Sequence, residues 1–238
     1  MSDYEAFLRQ RRAELLGRIA DAAARSGRDP KEVELVAVSK TVGEQAVAQA
    51  FAAGYRRFGE NRPQELKRKW AALEGDPALA GISFDMIGNL QKNKINQVLG
   101  VANLVHSVSS IHLAEAISSR SVARGRVTKC LLEVNVSGEA SKSGFSTAEA
   151  VEAADVVLGM EGIELMGLMT MAPANDADAA RATFSGLREL RDGLRMRTGA
   201  GLEVLSCGMS GDFEIAVEEG STLVRLGRIV FDPAYADV

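Results

Sequence analysis

Lys40 closes "VELVAVSK", residues 33 to 40, a nearly all-apolar run that gives way at once to a helical pattern. A lysine at the end of a buried strand either snorkels its ammonium out to water or supplies an amine to chemistry. Where water is scarce, a neutral amine can attack a carbonyl and form a Schiff base. A second group of residues lies far along the chain. "GMSGD" at 208–212 precedes the helical "FEIAVEEG", and "RLGR" at 225–228 ends the last apolar run. Backbone N–H groups at these glycine turns, the Ser210 hydroxyl and the cations Arg225 or Arg228 suit a phosphate dianion. The bland alternative is that Ser210 caps the next helix and the glycines turn the chain. An amine at one strand end and a phosphate cradle at others together match pyridoxal 5′-phosphate, which carries an aldehyde at one end and a phosphate at the other.

These residues need a frame that brings distant strand ends together. "SDYE" at 2–5 has the form of a helix start, and Phe7, Leu8, Leu15, Leu16, Ile19, Ala20 and Ala23 mark one helical face after it. The chain then alternates. Apolar runs at "VELVAVS", "RRFGE", "SFDMIG", "NLVHSV", "TKCLLEVNV", "IELMGLM", "LEVLSCG" and "STLVRLG" are separated mostly by amphipathic helical stretches. Such alternation argues for parallel strands buried on both faces. The fold expected is α/β, a single (β/α)8 TIM barrel with an extra N-terminal helix, in one domain over residues 1–238. A doubly wound open sheet is the rival, although no G-x-G-x-x-G follows the first strand. In a barrel the working residues sit at the carboxyl ends of the strands. Those ends read Lys40, "GEN" at 59–61, "IGNLQKNK" at 87–94, "HSVSS" at 106–110, Asn135 with "SGEASKSG", "TMAP" at 170–173, "SCGMSGD" at 206–212, and Arg225 with Gly227.

Bulk properties narrow the class. A formal net charge of -4 gives no global field to recruit nucleic acid or anionic lipid. Cys130 and Cys207 form neither a zinc pattern nor a disulfide framework, so no metal site is expected. The polar N-terminus lacks the apolar stretch of a secretory signal, and no apolar run reaches membrane-spanning length. A cytoplasmic setting is expected, with a monomer or weak homodimer.

Several ordered stretches carry a family resemblance. "AVSKT" at 37–41, "FGENRPQEL" at 58–66, "IGNLQKNK" at 87–94, "EVNVSGEASKSGF" at 133–145, "GLMTMAP" at 167–173 and "LSCGMSGDFEIAVEEGSTLVRLG" at 205–227 resemble the YggS/PROSC family of pyridoxal phosphate homeostasis proteins, akin in fold to the barrel domain of alanine racemase. The resemblance implies one barrel holding the cofactor as an aldimine on Lys40. It also implies Asn61 near the cofactor ring, Ser210 on the phosphate, Arg225 beside the pyridine nitrogen, and Gly227 with the backbone of Arg228 at the phosphate. An arginine at that nitrogen disfavours the pyridinium and so weakens the electron sink. Arg228 stands where the family generally has threonine, and "RIVFDP" departs from its usual continuation. Cys207 replaces a usual methionine, and Gly211 an acidic residue.

The other polar residues at the mouth carry less. Lys92, Lys94 and Lys142 read as surface lysines, and His106 as shaping a strand-end turn, since the sequence identifies no carboxylate partner for it. Glu133 and Asn135 share a strand face, either in a packed polar layer or against the cofactor. Two functions follow from the same lysine: a carrier that stores or delivers the cofactor to apo-enzymes, or an amino-acid racemase. Racemisation needs a proton-transfer group on each face of the α-carbon. Of the tyrosines, Tyr4 lies in the opening helix, Tyr55 before the second strand, and Tyr235 in the tail, where it could fold over the mouth. The carrier reading is favoured.

Overall fold

The computed structural model describes residues 2–139 and 142–235. The chain opens with α1 (Asp3–Arg25), started by the Ser2 hydroxyl accepting the Glu5 N–H. Leu8, Leu15, Ile19, Ala22 and Ala23 form its buried stripe, while Leu16 falls at the stripe's edge and is 36% exposed. There follow β1 (Glu34–Val38), α2 (Glu44–Ala52), β2 (Arg57–Glu60), α3 (Pro63–Leu73), β3 (Ser83–Met86), α4 (Ile95–Val98), β4 (Ala102–Val108) and α5 (Ile111–Val122). The second half runs β5 (Thr128–Glu133), α6 (Thr147–Leu158), β6 (Ile163–Met169), α7 (Ala177–Thr198), β7 (Val204–Ser206), α8 (Phe213–Glu218), β8 (Leu223–Leu226) and α9 (Arg228–Phe231).

All eight strands pair in chain order and in parallel, and β8 closes onto β1 through the register Glu34↔Leu223 to Ala37↔Leu226. The structure is therefore a (β/α)8 barrel with an N-terminal helix, and the open doubly wound sheet is excluded. Among the described residues no helix is long and apolar enough to cross a membrane.

Closure divides the apolar residues into two sets. The larger packs the outer face of the strands against the helices and includes Ala37, Val105, Cys130, Leu132, Leu168 and Val224. The smaller gathers Val36, Leu104, Leu131, Met169 and Leu223, with Met166 and Val204, into a plug inside the barrel. Side chains on a strand alternate faces, so two residues onward the same inner face carries Val38, His106, Glu133, Ser206 and Arg225. An apolar floor thus lies beneath a polar layer, and that layer faces the carboxyl-end mouth.

Gly167 lets β6 fit. The β5–β6 register skips there, pairing Cys130 with Leu165 and Leu131 with Gly167. The glycine has φ 152°, and a Cβ added to it would run into the Val204 carbonyl oxygen of the next strand. Gly167→Ala is expected to destabilise the barrel by about 3 kcal/mol or more. Urea unfolding checks this, and an unchanged midpoint would show that the bulge relaxes freely.

Candidate functional site

Lys40 stands two residues past the end of β1, exposed at the mouth, and among the described residues no hydrogen bond or ion pair holds its amine. The backbone beneath it is fixed. Ser39 is fully buried, and its N–H donates to the Gly59 carbonyl on the neighbouring strand at 3.0 Å. On β2 the corresponding position is Asn61. Its Oδ1 is buried and has no hydrogen-bond partner among the described residues. Asn61 is packed against Gly88 so closely that a Cβ on the glycine would overlap the Asn61 backbone, and Ser107 Oγ donates to the Gly88 carbonyl at 2.6 Å. A buried amide oxygen left without a donor is costly unless a ligand supplies one.

Arg225 enters from β8 and is 5% exposed. Its guanidinium donates to Ser206 Oγ at 2.5 Å and to the Thr170 carbonyl at 3.0 Å, leaving further N–H groups for the mouth. Burial pulls its pKa down, while Cys207, Asp212 and Glu133 push it back up. Behind Ser206 the polar layer continues across the barrel: His106 Nδ1 lies 2.9 Å from Ser206 Oγ, and His106 Nε2 lies 3.0 Å from Asp85 Oδ2. Arg57 Nε donates to the same Asp85 oxygen at 2.7 Å. This corrects the reading of His106 as the shaper of a strand-end turn. It lies inside β4, wholly buried, and its carboxylate partner comes from the adjacent β3.

The third part is the turn after β7. Gly208 holds φ 94°, and a Cβ there would strike Ala216 and Phe213 at the start of α8. Asp212, rather than Ser210, precedes that helix, and Asp212 Oδ1 accepts the Met209 N–H at 2.6 Å. Ser210 is therefore not the cap of α8, and its hydroxyl has no partner among the described residues. Gly227 precedes α9 beside Val38, so the β8–β1 pairing brings it next to the Lys40 strand end. The divergent "RIVFDP" segment folds into α9 and buries Ile229, Val230 and Phe231. The Arg228 side chain is exposed and lies over the Tyr235 ring, 5.7 Å from its centre.

Other residues separate from the site. Asn135 turns away from the barrel lining into its own loop, donating to the Glu139 carbonyl and accepting from the Gly138 N–H. Lys142 bonds Glu139 and the Met171 carbonyl, and Lys92 is exposed. Ala140 and Ser141 of "SGEASKSG" lie outside the described residues. Tyr4 donates to the Phe231 carbonyl, and Tyr55 is buried before β2, away from the mouth.

An uncommitted amine, a buried amide oxygen lacking a donor, a partly committed guanidinium and a free hydroxyl at a glycine turn thus share one end of the barrel. A barrel with this layout is of the class of the alanine racemase N-terminal domain, whose family pattern matches residues 16–233. The pyridoxal phosphate homeostasis protein of Pseudomonas aeruginosa is 40% identical over 220 residues, covering 92% of each chain. That of Aquifex aeolicus is 36% identical over 223 residues, covering 93% of this chain and 96% of the relative. Among solved structures, PipY of Synechococcus elongatus, described with PLP bound, has a TM-score of 0.79 at 33% identity, covering 90% of this chain and 99% of PipY. The chain belongs to the pyridoxal phosphate homeostasis protein family. Alanine racemase of Clostridium difficile shares the fold at a TM-score of 0.72 and 15% identity.

One acid in the mouth was left open by sequence alone. Glu133 ends β5 and is 2% exposed; its Oε1 accepts from Ser143 Oγ at 2.7 Å, and its buried Oε2 has no partner among the described residues. Burial raises its pKa, against the Ser143 bond and the Arg225 charge. The folded state therefore binds this proton more tightly than the unfolded chain, and stability is lost as pH rises above the ordinary value of 4.5. Glu133→Gln is expected to melt higher than the parent at neutral pH, with the difference closing as the pH falls to 4.5. Thermal melts across that range check it.

Proposed function

We propose that this protein holds pyridoxal 5′-phosphate at the carboxyl end of its barrel, covalently through Lys40, and serves cytoplasmic homeostasis of the cofactor as a reservoir or carrier. The observation that carries this reading is the set of unsatisfied groups at adjoining strand ends: the free Lys40 amine, the orphaned Asn61 oxygen and the spare donors of Arg225. The names of the relatives and the PLP-bound state of PipY support it.

A bound cofactor would supply an aldehyde able to condense with an amine and release water. Lys40 Nζ supplies that amine. Asn61 would face the cofactor ring from the end of β2. Arg225 offers an N–H to the pyridine nitrogen and, as a fixed cation, opposes its protonation. Ser210, Gly227 and the backbone of Arg228 hold the phosphate. Recipients are apo-enzymes that need the cofactor, and the carrier works as a monomer or weak homodimer. The Arg228 side chain lies over the Tyr235 ring, which supports a contact to the phosphate through its backbone.

The test is the visible absorption spectrum of the purified protein with added cofactor, followed by borohydride reduction. A yellow band fixed by reduction onto a peptide containing Lys40, and absent in Lys40→Ala, is expected. No band in the parent would overturn the reading. Arg228→Thr is expected to keep the band, and its loss there would make Arg228 a required phosphate ligand. Robust amino-acid racemisation that disappears in Tyr235→Phe would replace the carrier with an enzyme.

A further inference from the structure

Lys69 lies on α3, within a helix whose sequence, "PQELKRKWAAL", reads as a solvated lysine-rich face. Yet its side chain is 1% exposed, as is that of its partner Glu60. Lys69 Nζ pairs with Glu60 Oε1 and donates to the Ser39 carbonyl at 2.7 Å. Ser39 Oγ donates to the same Glu60 oxygen at 2.6 Å. The three residues form a closed buried triangle between β1, β2 and α3.

Its place in the chain matters more than its strength. Ser39 immediately precedes Lys40, and Glu60 immediately precedes Asn61. The carbonyl that Lys69 holds belongs to the peptide joining residues 39 and 40, so its direction fixes the plane from which the Lys40 side chain departs. Glu60 is held at both ends: its side chain by Lys69 and Ser39, and its carbonyl by the Ile87 N–H at 2.9 Å. A buried ion pair is a poor way to glue a helix to a sheet, since an apolar pair of similar volume serves as well or better. It can, however, orient a particular carbonyl, which an apolar pair cannot.

We propose that Lys69, with Glu60 and Ser39, is a positioning residue that holds the Lys40 and Asn61 strand ends in register with each other. The inference rests on the reading of Lys40 and Asn61 as cofactor ligands, and its test includes a measurement independent of that reading.

The variant is Glu60→Gln combined with Lys69→Met, which removes both charges together. In the apo-protein, hydrogen exchange at the amides of residues 39–42 and 60–62 is expected to quicken about tenfold, with α6 and α7 unchanged. Unchanged exchange at those strand ends would overturn the proposal. With cofactor added, the visible band is expected to form about tenfold more slowly, while affinity for pyridoxine 5′-phosphate, which lacks the aldehyde, stays within about threefold. Band formation at the parent rate in a folded double variant also overturns it. Should the double variant fail to fold, Ser39→Ala removes one side of the triangle, and about threefold slower band formation is expected there. Parent kinetics in Ser39→Ala would then count against the proposal. If the parent itself gives no band, the cofactor reading fails, and the exchange measurement alone decides the role of Lys69.

Discussion

Arg225 carries its charge inside a closed barrel, and the polar layer around it is arranged to meet that charge. Taking a guanidinium out of water costs several kcal/mol unless its donors find acceptors. Ser206 Oγ accepts from Arg225 and lies 2.9 Å from Nδ1 of His106. The Asp85 carboxylate can only accept, which places a proton on Nε2 of His106. Arg57 meets the same carboxylate from the other side and pairs with Glu34 at the barrel's amino end. Burial, with the charges of Arg225 and Arg57, lowers the pKa of His106 against the pull of Asp85.

This layer exists only because the sheet closes. In a flat sheet β4 and β7 would lie three strands apart, about 14 Å. Here His106 and Ser206 meet at 2.9 Å across the lumen. The apolar plug below contributes differently. Val36, Leu104, Leu131, Met169 and Leu223 fill the floor, so the polar residues above them stand on packed side chains rather than on water. Closure also sets Gly227 of β8 beside Val38 of β1, and so joins the last strand's turn to the first strand's lysine.

The order of the elements was legible in the chain, since each apolar run contains or overlaps one observed strand, and Ser2 capped the helix that its spacing with Glu5 indicated. Lys40, Asn61, Ser210, Arg225 and Gly227 all stand at one end of the barrel, because strand ends are visible wherever an apolar run gives way to polar or glycine residues. The inner layer was not legible. Strands buried on both faces show little alternation, so nothing in "NLVHSV" marks His106 as facing Asp85. Lys69 was hidden for another reason: a lysine on an amphipathic helix reads as solvated, and only the proximity of Glu60 and Ser39 makes it a buried cation. Asn135 misled by parity, because the chain leaves β5 at Glu133 and the next inward position belongs to a loop.

The proposed carrier role follows from what surrounds the lysine more than from the lysine itself. An amine able to capture an aldehyde becomes a catalyst only if the captured ring withdraws electrons strongly and a second group moves a proton on the opposite face. A cation at the ring nitrogen works against the first requirement, and Arg225 is buried, braced by Ser206 and Thr170 and not free to withdraw. The second requirement finds few candidates: the Tyr4 hydroxyl is engaged at Phe231, Tyr55 is buried before β2, and the Tyr235 ring lies against Arg228. Glu133 and Asp212 are the acids beside these groups, and burial raises the pKa of each. On the proposed reading, the residues around Lys40 favour holding an aldehyde over transforming it.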